Sequence, residues 1–139
     1  MKNSRLMISV AFTLFVLLTP ALAQTGAVRV TVPFDFTVGK QTLAAGDYRV
    51  TIHGPAMLRV ARINSPDVTG VMTDSIRGVE NVSPRLIFHR YGDRYFLSEV
   101  WVGELNLGHQ LFASGAELEL ARAAKQDQTT VLATRLPTK

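Results

Sequence analysis

Arg85–Val102 reads RLIFHRYGDRYFLSEVWV, two runs of strand-favouring residues on either side of Gly92-Asp93. A two-residue type II′ turn places glycine at its first central position, where φ is positive, so Gly92-Asp93 closes a hairpin with Tyr91 opposite Arg94. Counting back from the turn pairs Arg90 with Tyr95, His89 with Phe96, Phe88 with Leu97 and Ile87 with Ser98. Side chains alternate along a strand. Leu86, Phe88, Tyr95, Leu97 and Trp101 therefore share one face, and Ile87, His89, Tyr91, Phe96, Val100 and Val102 the other. A surface ribbon is polar on one side. Here both faces are rich in large apolar groups, so the hairpin is expected at the centre of the sheet, one face in the core and the other covered. Cross-strand aromatic and β-branched pairs contribute about 0.2–1 kcal/mol each, enough to anchor a sheet.

At the N-terminus, Lys2 and Arg5 precede an apolar run from Leu6 to Leu18, Thr19-Pro20 interrupts it, and Ala21-Leu22-Ala23 supplies a small-x-small pattern. Residues 1–23 are read as a cleaved signal peptide, with Gln24 first in the mature chain. The apolar run is shorter than the roughly 20 residues of a membrane-spanning helix. The expected location is periplasmic or extracellular. Removing 23 of 139 residues leaves 116 for a single domain, and losing Lys2 and Arg5 lowers the net charge from +4 to +2. The remaining basic residues are scattered singly, which together with export argues against a nucleic-acid partner. There is no cysteine, so the domain relies on packing and backbone pairing rather than disulfides. No later segment is long enough to span a membrane as a helix.

Between these points, Val28–Val38 (VRVTVPFDFTV) alternates throughout, with Val28, Val30, Val32, Phe34, Phe36 and Val38 pointing one way. That is a half-buried strand. Pro33 lacks an N–H and predicts an edge position or a local bulge. Gly39-Lys40 and Gly46-Asp47 are turns, and Arg49–Ile52 is a second strand. Ala56–Ile63 is a third, Val68–Ile76 a fourth, and His109–Phe112 a short last one. Ser114-Gly115-Ala116-Glu117 fits a capping box, with the Ser hydroxyl and the Glu carboxylate each taking a free N–H. It predicts a helix over about residues 115–125, with Ala116, Leu120, Ala123 and Ala124 as a narrow stripe that lies flat against the sheet or over a barrel mouth. Residues 24–126 thus form the β domain, and 127–139, polar and short of large side chains, are read as a flexible tail. The fold class is mainly β: an antiparallel sandwich or partly open barrel with one short C-terminal helix.

VPFDFTVGKQTLAAGDYRV, LIFHRYGDRYFLSEVW and the Ser-x-x-Glu helix together resemble a family of small exported bacterial β proteins of uncharacterised function. Its motifs are Pro-Phe-x-Phe-x-Val-Gly, Leu-x-Ala-Gly-x-Tyr and Arg-Tyr-Gly-Asp-x-Tyr-Phe-Leu. Ala44 stands where the family pattern has proline. The resemblance implies an exported β domain and brings no activity with it.

The chemistry-bearing residues form no recognisable catalytic set. His53, His89 and His109 lack the close spacing and neighbouring carboxylates of a metal site, and no cofactor is implied. Ser98, His89 and Asp93 supply the residue types of a hydrolytic triad, but Ser98 and His89 fall two cross-strand pairs apart, Asp93 lies in the turn, and no nucleophile elbow is present. Glu99 shares its face with Leu97 and Trp101, where a carboxylate needs a partner. It is read as bridged to an arginine of a neighbouring strand (Arg49, Arg59 or Arg62). The alternative is a polar group in an apolar ligand pocket walled by Tyr95 and Trp101. Tyr91 and Arg94 at the hairpin tip are candidates for a contact surface. The leading expectation is a non-enzymatic exported domain with a binding or structural role, pairing with itself or an envelope protein through an edge strand at Val28–Val38. The alternative is a small barrel carrying an apolar ligand around Tyr95, Trp101 and Glu99.

Overall fold

The computed structural model describes residues 26–79, 82–103 and 106–136; the expected signal peptide lies outside them. The alternating N-terminal stretch puts Val28, Val30, Val32, Phe36 and Val38 in the core, each no more than 1% exposed. It forms two strands rather than one: β1 (Ala27–Val32) and β2 (Phe36–Val38). The break falls at residues 33–35, where Pro33 has no N–H to give a ladder. Asp35 turns its carboxylate to the backbone N–H of Ala45 at 2.9 Å. β1 then pairs with β4 (Gly46–His53), while β2 pairs with β3 (Gln41–Leu43).

From β4 the chain meanders through β5 (Met57–Arg62) into β6 (Val68–Arg77). β6 serves two layers. Its residues 68–72 pair with β5, and its residues 73–77 pair with β9 (Leu107–Leu111). Between them come β7 (Arg85–Tyr91) and β8 (Arg94–Trp101), the hairpin. The chain ends with α1 (Gly115–Ala123), β10 (Asp127–Leu132) and β11 (Thr134–Arg135). Among the described residues the strands form one open, mainly antiparallel sheet in the order β10-β7-β8-β9-β6-β5-β4-β1-β11. It folds over on itself around a core that includes Tyr48, Val50, Leu58, Val60, Leu86, Phe88, Leu97 and Val100.

Of the expected flexible tail, residues 127–132 and 134–135 form strands, and residues 137–139 lie outside the described residues. β10 pairs with β7 over six positions, from Asp127↔Arg90 to Leu132↔Arg85, and β11 pairs with β1 at Val28 and Arg29. Polarity misleads here because one side of the strand suffices for anchorage: Val131 and Ala133 pack on the core while Leu132 is exposed. The same pairing changes the edge expectation, since β1 has β4 along one side and β11 against part of the other. Val28–Val38 therefore presents no uninterrupted free edge.

The hairpin closes as read. Gly92 takes φ 63°, Tyr91 faces Arg94, and Phe88 faces Leu97. Beyond that pair the register changes: Ile87 faces Glu99, leaving Ser98 as the extra residue of a β-bulge. A bulge reverses which way later side chains point. Val100 and Val102 consequently join the core with Leu97, and Trp101 goes to the outer face.

Candidate functional site

The outer face of the hairpin is covered by α1, which sits there by its cap. Ser114 is the N-cap, and its Oγ accepts the Glu117 backbone N–H at 3.2 Å. The second half of the expected capping box does not form, because the Glu117 carboxylate is engaged elsewhere. Nor does the alanine stripe face the sheet: Glu117 is the buried residue of the helix, and Ala116 and Ala123 are exposed. The Glu117 carboxylate ties this helix to the sheet.

Glu117 Oε1 lies 2.7 Å from His89 Nδ1 and accepts the Tyr91 hydroxyl at 3.1 Å. His89 Nε2 lies 3.0 Å from Ser98 Oγ. With the carboxylate ionised and the ring neutral, the imidazole proton belongs on Nδ1, facing an oxygen that can only accept, and Nε2 is then the acceptor for the serine hydroxyl. Burial and the adjacent Glu117 carboxylate push the Tyr91 phenol up to about 12, so it stays a donor. The bulge supplies what strict alternation withheld, since the two-pair separation expected of Ser98 and His89 shrinks to hydrogen-bond distance once Ser98 becomes the extra residue. Asp93, the expected acid, stays exposed in the turn. Glu117 takes its place, arriving from a different element. The sequence signal for it was the Ser-x-x-Glu pattern itself, which points to a helix start, so capping was the natural reading.

Beside this cluster is a recess of about 280 Å³, lined by His89, Ser98 and Glu117 together with Asp74, Gln110 and Leu111–Ala113. A second recess, about 470 Å³, shares Phe112 and Ala113 with it and runs along Val38–Gln41 and Thr69–Met72. Four consecutive residues of β6 line the second recess, so it faces the strand's edge rather than one of its faces. The β5–β6 ladder directs odd-numbered β6 residues inward, as the bonds Thr73 N–H to Ala56 and Arg62 N–H to Asp67 show. Val68, Gly70 and Met72 therefore turn their N–H and C=O groups to the other side. Among the described residues no strand pairs with that side, because β9 reaches only from Thr73 onward. A Cβ at Gly70 would meet nothing within 4 Å.

The other sequence candidates separate. Tyr95 stacks on Phe34, ring centroids 3.8 Å apart, and packs against the core. Trp101, on the opposite face, lies over Gly78 and Gly108 and donates its indole N–H to Glu99 Oε2 at 2.9 Å. The three expected pocket residues thus do not wall one cavity, and the bonding partner of Glu99 is Trp101 rather than Arg49, Arg59 or Arg62. At the tip, Tyr91 is 4% exposed and bonded inward, so it offers no contact surface. Arg94 is exposed and lies over the Phe96 ring at 5.3 Å.

His109 is buried beside Thr73, its Nδ1 3.2 Å from the Thr73 hydroxyl, and burial lowers its pKa. His53 is exposed at the end of β4. Among the described residues no three His, Cys, Asp or Glu side chains are grouped to hold a metal, and no helix is long and apolar enough to cross a membrane. Comparison with known proteins finds no matching family model, no matching curated protein and no matching solved structure.

Proposed function

We propose that the chain is an exported binding domain that takes an extended segment of a partner polypeptide as an added strand along Val68–Met72. The observation that carries this reading is the outward-facing backbone row of Val68, Gly70 and Met72, of which Gly70 and Met72 line the larger recess. An unpaired strand edge selects its ligand by conformation, and the side chains alongside it select by chemistry. Val68, Met72 and Phe112 are exposed apolar groups at 42%, 55% and 59%. Lys40 lines the same recess and has no acidic partner among the described residues. The occupant is therefore a segment of alternating apolar residues with one carboxylate.

About four new backbone hydrogen bonds, each about 0.5–1.5 kcal/mol net, and one buried apolar side chain at about 1.5–3 kcal/mol oppose an association cost of about 4–15 kcal/mol. Binding is then weak, in a range suited to residue-resolved titration. The probe is the peptide acetyl-Thr-Val-Glu-Val-Thr-amide at millimolar concentration, followed by amide shifts and hydrogen exchange. Protection of the Val68, Gly70 and Met72 amides, lost with backbone N-methylation of the peptide and in Gly70→Pro, supports the reading. Shifts confined to other elements, or none, refute it. A concentration-dependent dimer abolished by Gly70→Pro would assign the edge to a second copy instead.

A further inference from the structure

The smaller recess carries an inference independent of the strand edge. We infer that Ser98, His89 and Glu117 form an acyl-transfer site for small uncharged esters. The three groups stand in the order nucleophile, base and orienting acid, with Ser98 Oγ to His89 Nε2 at 3.0 Å and His89 Nδ1 to Glu117 Oε1 at 2.7 Å. Such a constellation is recognised by geometry and roles, whatever the fold or the chain order. Each member is fixed by a separate device. Ser98 is held by the bulge, His89 by the hairpin register, and Glu117 by the Ser114 cap and the Tyr91 hydroxyl. Both reacting side chains line the recess, and His89 keeps 22% of its side chain exposed.

The recess also sets the substrate class. Leu111, Phe112 and Ala113 give it an apolar wall for a short acyl chain. Gln110 lines the same space, and its carboxamide carries an N–H of the kind that meets a developing oxyanion. Asp74 and Glu117 add negative charge to the lining, which disfavours anionic esters.

In the reaction, Ser98 Oγ attacks the ester carbonyl carbon while its proton passes to His89 Nε2. The tetrahedral adduct collapses, the carbon–oxygen bond to the alcohol breaks, and the departing oxygen takes the proton from Nε2. Water then attacks the acyl-serine, giving a proton to Nε2. Collapse returns that proton to Ser98 Oγ and releases the carboxylic acid. Ser98 and His89 are catalytic residues in this scheme, and Glu117 is a positioning residue that holds the imidazole tautomer.

The test treats the intact protein with a fluorophosphonate and maps the adduct by mass spectrometry, alongside hydrolysis of p-nitrophenyl acetate. Labelling at Ser98 is expected, with Ser98→Ala and His89→Gln each lowering hydrolysis by about 10²-fold or more. Ser98→Cys should restore part of the acylation. Glu117→Gln should shift the pH profile of acylation as well as its rate, an effect that loss of helix anchorage alone would not give. Retained Trp101 fluorescence certifies that each variant is folded. A folded wild-type protein unlabelled at Ser98, labelling undiminished in His89→Gln, or hydrolysis undiminished in Ser98→Ala overturns the inference.

Discussion

Gly108→Ala turns the packing of the single tryptophan into a measurement. Gly108 sits in β9 opposite Trp101 of β8, and a Cβ there would come within 2.7–2.8 Å of three atoms of the indole ring. The ring has little room to retreat. It also lies over Gly78, where a Cβ would be 2.7 Å from the far edge of the six-membered ring, and its N–H is bonded to Glu99. Two effects of opposite sign compete. Replacing a strand glycine by alanine ordinarily stabilises by about 0.5–1 kcal/mol through lost unfolded-state freedom, whereas overpacking a close contact costs about 1–3 kcal/mol. Contacts nearly 1 Å below van der Waals distance put the steric term ahead, for a net loss of about 1–2 kcal/mol. The assay is urea denaturation followed by Trp101 emission, since this is the only tryptophan in the chain. Emission should shift to the red as the indole, 6% exposed, is lifted from its seat. A neutral or stabilising Gly108→Ala with unchanged emission would refute the packing argument, because only the glycine term would then remain.

Two further outcomes are expected. Burial lowers the folded-state pKa of His109, so the unfolded chain takes up its proton first. Stability should therefore fall as pH drops below about 6.5. The Thr73 hydroxyl is the polar group facing the ring, and His109→Gln should flatten that part of the wild-type stability profile between pH 7.5 and 5.5. Deleting residues 127–139 should lower the thermal midpoint by several degrees, at about 4–8 °C per kcal/mol for a domain of this size. It uncovers β7 and removes Val131 and Ala133 from the core; an unchanged midpoint would restore the reading of these residues as a loose tail.

What the sequence made legible follows from which signals are local. The turn at Gly92, the alternation of Val28–Val38 and the Ser114 cap are short-range patterns, and each appears in the structure where the residues put it. The bulge at Ser98 is not local. It is set by the need to bring both Leu97 and Val100 into the core, and nothing in Ser-Glu-Val announces it. Once present it reverses Glu99 and Trp101, which dispersed the expected pocket, and it brings Ser98 to His89, which assembled an unexpected cluster. Glu117 was visible but ambiguous, because one carboxylate can serve a helix start or a neighbouring strand. β10 was hidden for a related reason: Asp-Gln-Thr-Thr-Val-Leu is polar enough to pass for coil and becomes a strand only with β7 beside it.

The pairing of β11 with β1 joins the last described strand to the first, as in Val28↔Arg135. During vectorial synthesis the first strand to emerge must wait for more than a hundred residues before that partner exists, and β7 must likewise wait for β10. Contacts of such long sequence separation form late and slowly. Until the chain is complete, both ends of the sheet stay ragged. The local meander β4-β5-β6 and the β7-β8 hairpin can pair early, whereas the two outer pairings of the open sheet are the last it acquires.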